Sequence, residues 1–364
     1  MKSNFFQRYL LPGFVLQSVV IAGGYGTGRE LVEFFLKFGP VRGLFSMTLI
    51  ATVAISIVSA ASFEFARIFR CYDYRSFFVH LLGRGWFLYE IGYMVALLLI
   101  LAVVGSAAGT ILDESFSVPY AVGVVAMMVA VGFLVFKGTA TIERVMAVWS
   151  FVLYAIYIIF FVWAITRFGH AMLSQFGNDV AEPGWALSGF KYGVLQVSLI
   201  PAVLFTAKHI ETRREAVVSG LLAGVIAMMP GFLFYLAMMG QYPAIVERPA
   251  PVNYMLDLLG SRSFQIAFQV VLFGTLIETG TGLIHAFNER IANTFAGLAR
   301  PMPVAARPLI ALGLLTAGAL LSKLGLVNLV AHGYGTASWI FIFIYALPML
   351  TWGVWKMKTS NVRE

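Results

Sequence analysis

Apolar stretches of about 20 residues, the length a helix needs to cross a bilayer, recur from one end of this chain to the other. No other feature limits the possible folds so sharply. In hydrocarbon every backbone polar group must be satisfied internally, so such stretches become helices. Charged residues make up only 12% of the 364 residues, mean hydropathy is +0.86, and a soluble domain would carry about a quarter charged residues. There are too few charges to cover a water-facing surface, so the chain reads as an all-α integral membrane protein in a single membrane domain spanning 1–364.

Charged and Pro/Gly punctuation divides it into about ten spans, at 8–37, 41–69, 86–111, 118–136, 144–168, 186–210, 214–240, 262–297, 305–322 and 333–356. Residues 71–85 mix aromatic and basic side chains and are expected along the interface; 241–261 form the longest polar-containing loop on the opposite side. The N-terminal apolar stretch runs on into a charged, Gly-rich segment without a small-x-small site, so it is expected to be a span rather than a cleaved signal. One cysteine, Cys71, allows no internal disulfide. With the N-terminus inside, 17 of the 25 Lys and Arg residues fall on inner segments, seven outside, and Arg29 within a span. By the positive-inside rule both termini are cytoplasmic, in what is expected to be a bacterial inner membrane. This asymmetry explains the net charge of +8 without a nucleic-acid partner; the expected partners are the lipid bilayer and a small-molecule solute.

Val15-Leu16-Gln17 recurs as Val194-Leu195-Gln196, an offset of 179 residues. The same offset brings the first five spans into approximate register with the second five, as repeats of about 8–168 and 186–356. Five is odd, so the second repeat enters the membrane inverted, the arrangement of secondary transporters that bind solute between interrupted helices. Span 1 carries Gly23, Gly24, Gly26 and Gly28, and span 6 carries Ser198 and Pro201 ahead of Phe205 and Thr206. Both are expected to be broken.

Ten spans in a five-plus-five inverted repeat with broken helices 1 and 6 resemble the LeuT fold of the amino acid–polyamine–cation superfamily. Within it, Gly-Tyr-Gly-Thr-Gly-Arg-Glu-Leu-Val-Glu-Phe-Phe (24–35), followed by Phe38-Gly39, resembles the signature of the YkvI-type membrane proteins. The resemblance implies a transporter fold more than a substrate.

The glycine run itself admits three readings. A phosphate loop needs a strand–loop–helix setting or a following Gly-Lys-Ser/Thr, and neither is present. Gly24-x-x-x-Gly28 suits close helix packing. An unwound stretch would instead free the amides of Gly24, Gly26, Thr27 and Gly28 for a substrate carboxylate, and the carbonyls of Ala22, Gly23 and Tyr25 for a cation. Arg29 is either a clamp on an anionic substrate or the counter-ion of Glu30 or Glu33. Phe205 and Thr206 are the pocket candidates of span 6, with Lys208 and His209 left at the interface.

Span 8 supplies Thr275, Glu278, Thr279, Thr281, His285 and Glu289. In LeuT-fold sodium symporters, hydroxyls of this helix join helix-1 carbonyls to bind sodium. The resemblance thus implies a sodium site at Ala22, Tyr25, Thr279 and Thr281, although residues two apart on a helix do not share a face. Glu278 and His285, seven apart, suit proton transfer. HGYGTAS (332–338) echoes Tyr25-Gly26-Thr27, but span 10 pairs with span 5 in the repeat, so the echo is read as coincidence. No catalytic signature such as HExxH or a nucleophile elbow occurs. The expectation is therefore no enzyme and no cofactor beyond a coupling sodium or proton: a cation-coupled transporter of a small polar solute, most simply an amino acid or related zwitterion. The rival is a ligand sensor on the same fold that does not transport.

Overall fold

The computed structural model describes residues 5–360 except 22, 138, 178, 179, 181, 298–302 and 304. For 23, 137, 139–151, 293, 294, 296, 297 and 360 it describes the backbone alone. Among the described residues there is no strand. Six helices are long and apolar enough to cross a membrane: Pro40–Phe69, Tyr74–Phe116, Val152–Gly177, Arg213–Met239, Arg262–Ala292 and Leu326–Thr359. Tyr120–Phe136 and Ala306–Ser322 are shorter apolar helices.

The main helical segments are α1 (Leu11–Val20), α2 (Arg29–Phe34), α3 (Thr52–Phe69), α4 (Phe87–Phe116), α5 (Tyr120–Lys137), α6 (Thr139–Ser174), α7 (Trp185–Val197), α8 (Arg213–Met239), α9 (Pro251–Leu259), α10 (Arg262–Gly297), α11 (Ala306–Ser322) and α12 (Gly335–Phe341). Most of these limits fall within a few residues of those read from the apolar runs. The segment expected at the interface holds a helix, Tyr74–Leu82, whose first turn is capped by Asp73 accepting from the Ser76 N–H at 2.9 Å. The long loop at 241–261 holds α9.

Small residues decide which helices touch. A Cβ on Gly220 would lie 2.2 Å from the Ala60 backbone, and one on Gly224 would lie 2.2 Å from Ser56 Oγ, so α8 and α3 meet backbone to backbone. Without a hydrophobic driving force between helices in lipid, such close approach and interhelical hydrogen bonds hold the pair; Ser56 Oγ donates to Leu221 O at 2.9 Å. α1 packs on α8 as well, and α7 packs on α3 and α12. A second group forms around α4, α5, α10 and α11, where a Cβ on Gly123 would meet Ala108 O at 2.6 Å.

At one end of the first group, Thr212 and Glu215 form a reciprocal capping box that starts α8, satisfying two N–H groups the helix leaves unpaired. Glu215 also accepts from Arg8 at 2.8 Å, tying the entry of α1 to the same point. Glu64 and Arg67 form an ion pair at 2.8 Å. The side chains of Glu143 and Arg144 lie outside the described ones.

Candidate functional site

The first membrane helix is broken where its glycines cluster. α1 ends at Val20, Ile21 is extended (φ −73°, ψ 91°), a single helical turn covers Gly23–Gly26, and Gly28 at φ +80° resets the chain before α2. A left-handed residue is costly for anything but glycine, and at Gly28 space is short too: a Cβ would lie 2.9 Å from Met238 Sδ. The sixth predicted span is interrupted as well. α7 stops at Val197, and the chain continues in 3-10 turns through Ile200–Ala202 and Leu204–His209.

Between these interruptions and helices α4, α6, α10 and α12 lies a cavity of about 490 Å³. From the break it takes Val20, Ile21 and Glu30, and from α10 it takes Thr275, Glu278 and Thr279. α7 and its continuation contribute Gln196, Ser198 and Ala202, and three tyrosines, Tyr93, Tyr154 and Tyr334, form part of the wall. Two sequence candidates, Glu278 and Thr279, are thus in the cavity, together with Glu30.

Several other candidates are placed elsewhere. Gly24, Gly26, Thr27 and Gly28 do not line the cavity, because packing uses them. A Cβ on Gly26 would meet Leu272 Cδ1 at 2.5 Å, and one on Gly24 would meet Glu30 Oε1 at 2.4 Å. Thr27 is fully buried; its hydroxyl donates to Gly24 O at 3.1 Å and its carbonyl accepts from Val252 N–H at 3.0 Å. The Tyr25 carbonyl accepts the Gly28 N–H at 3.0 Å, and the Tyr25 ring is buried away from the cavity against Phe234. Ala22 lies outside the described residues, and Gly23 is described in its backbone alone.

Arg29 also points away. Buried, it pairs with Glu33 at 2.6 Å and donates to the carbonyls of Val246 and Arg248 at 2.9 and 3.1 Å. Lys37 binds the other oxygen of Glu33. Arg29 is thus paired with Glu33 in this structure.

Phe205 is half exposed, and Thr206, fully buried, donates to Val203 O at 2.7 Å. Neither lines the cavity, because the 3-10 turns after Val197 bring Ser198, Leu199 and Ala202 there instead. On α10, Thr279 and Thr281 part as helical geometry demands. Thr279 lines the cavity and donates to Thr275 O at 3.0 Å, whereas Thr281 Oγ1 is buried with no partner among the described residues. His285 is half-buried and does not line the cavity either.

Glu30 and Glu278 differ from the other carboxylates of this region. Glu30 is 2% exposed and accepts one side-chain hydrogen bond, from Tyr192 at 3.3 Å. Glu278 has no ion pair or hydrogen bond with any described residue. A second cavity of about 410 Å³ shares Tyr93, Ala202 and Ala286 with the first and opens among Asp73, Arg75, Glu289 and Arg290. There Arg290 stacks 3.6 Å from the Tyr74 ring centroid and 3.9 Å from that of Tyr93, and pairs with Glu90 at 3.3 Å.

The cavity tyrosines carry no signal of their own in the sequence. Tyr334 in particular belongs to HGYGTAS, whose likeness to the helix-1 glycine run reads as coincidence, yet the segment Leu329–Tyr334 packs on α2 and brings Tyr334 into the cavity. It is a π-helical stretch, a local distortion found often at functional sites.

No family model matches the chain. It is 23% identical over 345 residues to the uncharacterized membrane protein YkvI of Bacillus subtilis strain 168, covering 92% of this chain and 93% of that one. Its structure matches that of MhsT in complex with L-phenylalanine, with a TM-score of 0.62 and 19% identity, over 93% of this chain and 87% of that one. A manganese transporter of Eremococcus coleocola is matched at a TM-score of 0.49 and 15% identity, over 95% and 86% of the two chains. The protein therefore has the LeuT-type fold of MhsT and is similar to YkvI over nearly its whole length. It is an integral membrane protein.

Proposed function

We propose that the protein is a cation-coupled secondary transporter of a small solute bearing an amino group, an amino acid or a related compound, working by alternating access. One observation carries the reading: a cavity of about 490 Å³ opens where both interrupted helices meet α4, α6 and α10 and is lined by two carboxylates. Solute sites of secondary transporters lie at such interruptions, between the repeats. The volume suits a small molecule, and the structural neighbour MhsT was solved with L-phenylalanine.

The reading takes ten spans in two inverted halves, about 8–168 and 186–356. In support, α1 ends at Val20 and α7 at Val197, so the two breaks are 197 − 20 = 177 residues apart, beside the offset of 179 in the sequence repeat. The group of α1, α3, α7 and α8 would rock against α4, α5, α10 and α11. The coupling cation is sodium or a proton. With both termini cytoplasmic, as the positive-inside asymmetry favours, the cavity at Arg290 faces the cytoplasm and the Arg29–Glu33–Lys37 network closes the outer side.

Uptake or exchange of labelled amino acids and amines in proteoliposomes, under imposed sodium and proton gradients, tests the proposal. Exchange driven by either gradient is the expected result. A folded, reconstituted protein that exchanges none of them sinks it. Ligand-induced thermal stabilisation without any exchange would point to the sensor instead.

A further inference from the structure

We infer that the cavity takes a small organic amine with an apolar body and no carboxylate, its ammonium group held by Glu30 and Glu278. This narrows the solute class and rests on the reading of this cavity as the solute site. The first support is the charge on the wall. The described residues that line it include Glu30 and Glu278 and no Lys, Arg or His. The two nearby guanidinium groups are committed elsewhere: Arg29 to Glu33 and to two loop carbonyls, and Arg290 to Glu90 beyond the ring of Tyr93. Glu30 is buried and Glu278 partly so; an unpaired charge at membrane depth is costly, so such groups are kept where a cation reaches them.

The second support is independent of the carboxylates. Tyr334 lines the same cavity at 3% exposure, and its hydroxyl has no hydrogen-bond partner among the described residues. A hydroxyl on the cavity wall without a described partner is available to a ligand or water. The rings of Tyr93, Tyr154 and Tyr334, with Leu99, Ile100 and Leu153, offer apolar surface for a hydrocarbon body and π faces for an ammonium group.

The third support is what occupies the broken helix. A substrate carboxylate would lie over the glycine run, but the chain's own carboxylate is already there, with Glu30 Oε1 2.4 Å from where a Gly24 Cβ would be. A second carboxylate brought beside it would be repelled in a low-dielectric site. The geometry thus disfavours a carboxylate at the break and favours a cation.

Three ligands that share a phenyl ring and differ in charge separate the possibilities: 2-phenylethylamine, L-phenylalanine and 3-phenylpropionate. Binding of each to the purified full-length protein in nanodiscs is measured by calorimetry, with thermal unfolding as the check on folding. The amine is expected to bind about tenfold or more tightly than the zwitterion, with no binding of the acid, and E278Q is expected to weaken the amine about tenfold, as loss of one charge pair would. The inference is overturned if L-phenylalanine or 3-phenylpropionate binds as tightly as the amine, or if E278Q leaves amine affinity unchanged. Exchange of L-phenylalanine without amine binding overturns it while the transporter reading stands. Amine binding without exchange does the reverse, and a folded protein that neither binds nor exchanges any of the three overturns both.

Discussion

Arg29 and Glu30 are neighbours in the chain and belong to two unlike regions of the molecule. Arg29 enters a closed network in which Glu33, Lys37 and the carbonyls of Val246 and Arg248 compensate its charge. Glu30 lines the cavity and accepts from the hydroxyl of Tyr192, and Glu278, with no partner among the described residues, shares the wall. Both regions place ionisable residues at membrane depth, but only the first is balanced. A compensated cluster fixes the fold of a broken helix; an uncompensated one is a place for a cation.

The largest effect should come from unbalancing the first region. Glu33→Gln leaves a buried guanidinium without its carboxylate and should destabilise the protein by about 3–5 kcal/mol, read as a lowered thermal midpoint in detergent. Glu278→Gln removes a charge that has no partner to lose, so its midpoint should hold or rise. If the two variants exchange these outcomes, the division between the regions is wrong.

Gly28→Ala tests the hinge between them. The left-handed conformation at φ +80° should cost about 1–2 kcal/mol, with more from the Met238 sulfur 2.9 Å away. A variant as stable as the parent would mean that the break does not need its glycine. Tyr192→Phe deletes the one hydroxyl that donates to Glu30 and should weaken amine binding by about 1 kcal/mol, a few-fold in Kd, with Glu33 and Arg29 unaffected. An unchanged Kd would remove Glu30 from the binding wall.

The smallest effect is expected at Thr281→Val. Its buried hydroxyl has no partner among the described residues, so replacing it by a methyl should be neutral or stabilising, within about 1 kcal/mol. Loss of sodium-dependent binding or exchange in this variant would restore Thr281 as a sodium ligand.

Much of the fold is legible in the residues alone. Long apolar runs fix helices in a bilayer with little competition, and the limits read for 262–297 and 305–322 match α10 and α11 closely. The glycine run announces its break because left-handed backbone such as Gly28 at φ +80° strongly favours glycine. Glu278 and Thr279 stand out because polar residues at membrane depth must face inward.

What the sequence hides is direction. Beyond a break, helical register no longer carries across, so nothing in Arg29-Glu30 says which of the two faces the cavity. Phe205 and Thr206 lie off this cavity for the same reason, since 3-10 turns after Val197 rotate the chain differently from an α-helix. Tyr93, Tyr154 and Tyr334 are lost among aromatics that make up 15% of the chain, and no local pattern separates a cavity wall from a lipid contact. The glycines draw attention as binding amides, yet Gly26 and Gly28 are close-approach positions against Leu272 and Met238.

The central claim is that Glu30 and Glu278 leave a cation-sized deficit of charge in a transport cavity. Currents from proteoliposomes adsorbed on a solid-supported membrane test it most directly, with 2-phenylethylamine pulsed onto wild-type and E278Q protein. The account predicts a transient inward movement of positive charge in the wild type, larger than that given by L-phenylalanine, and its loss in E278Q. No amine-evoked current in the wild type, or one of equal size in E278Q, would contradict it.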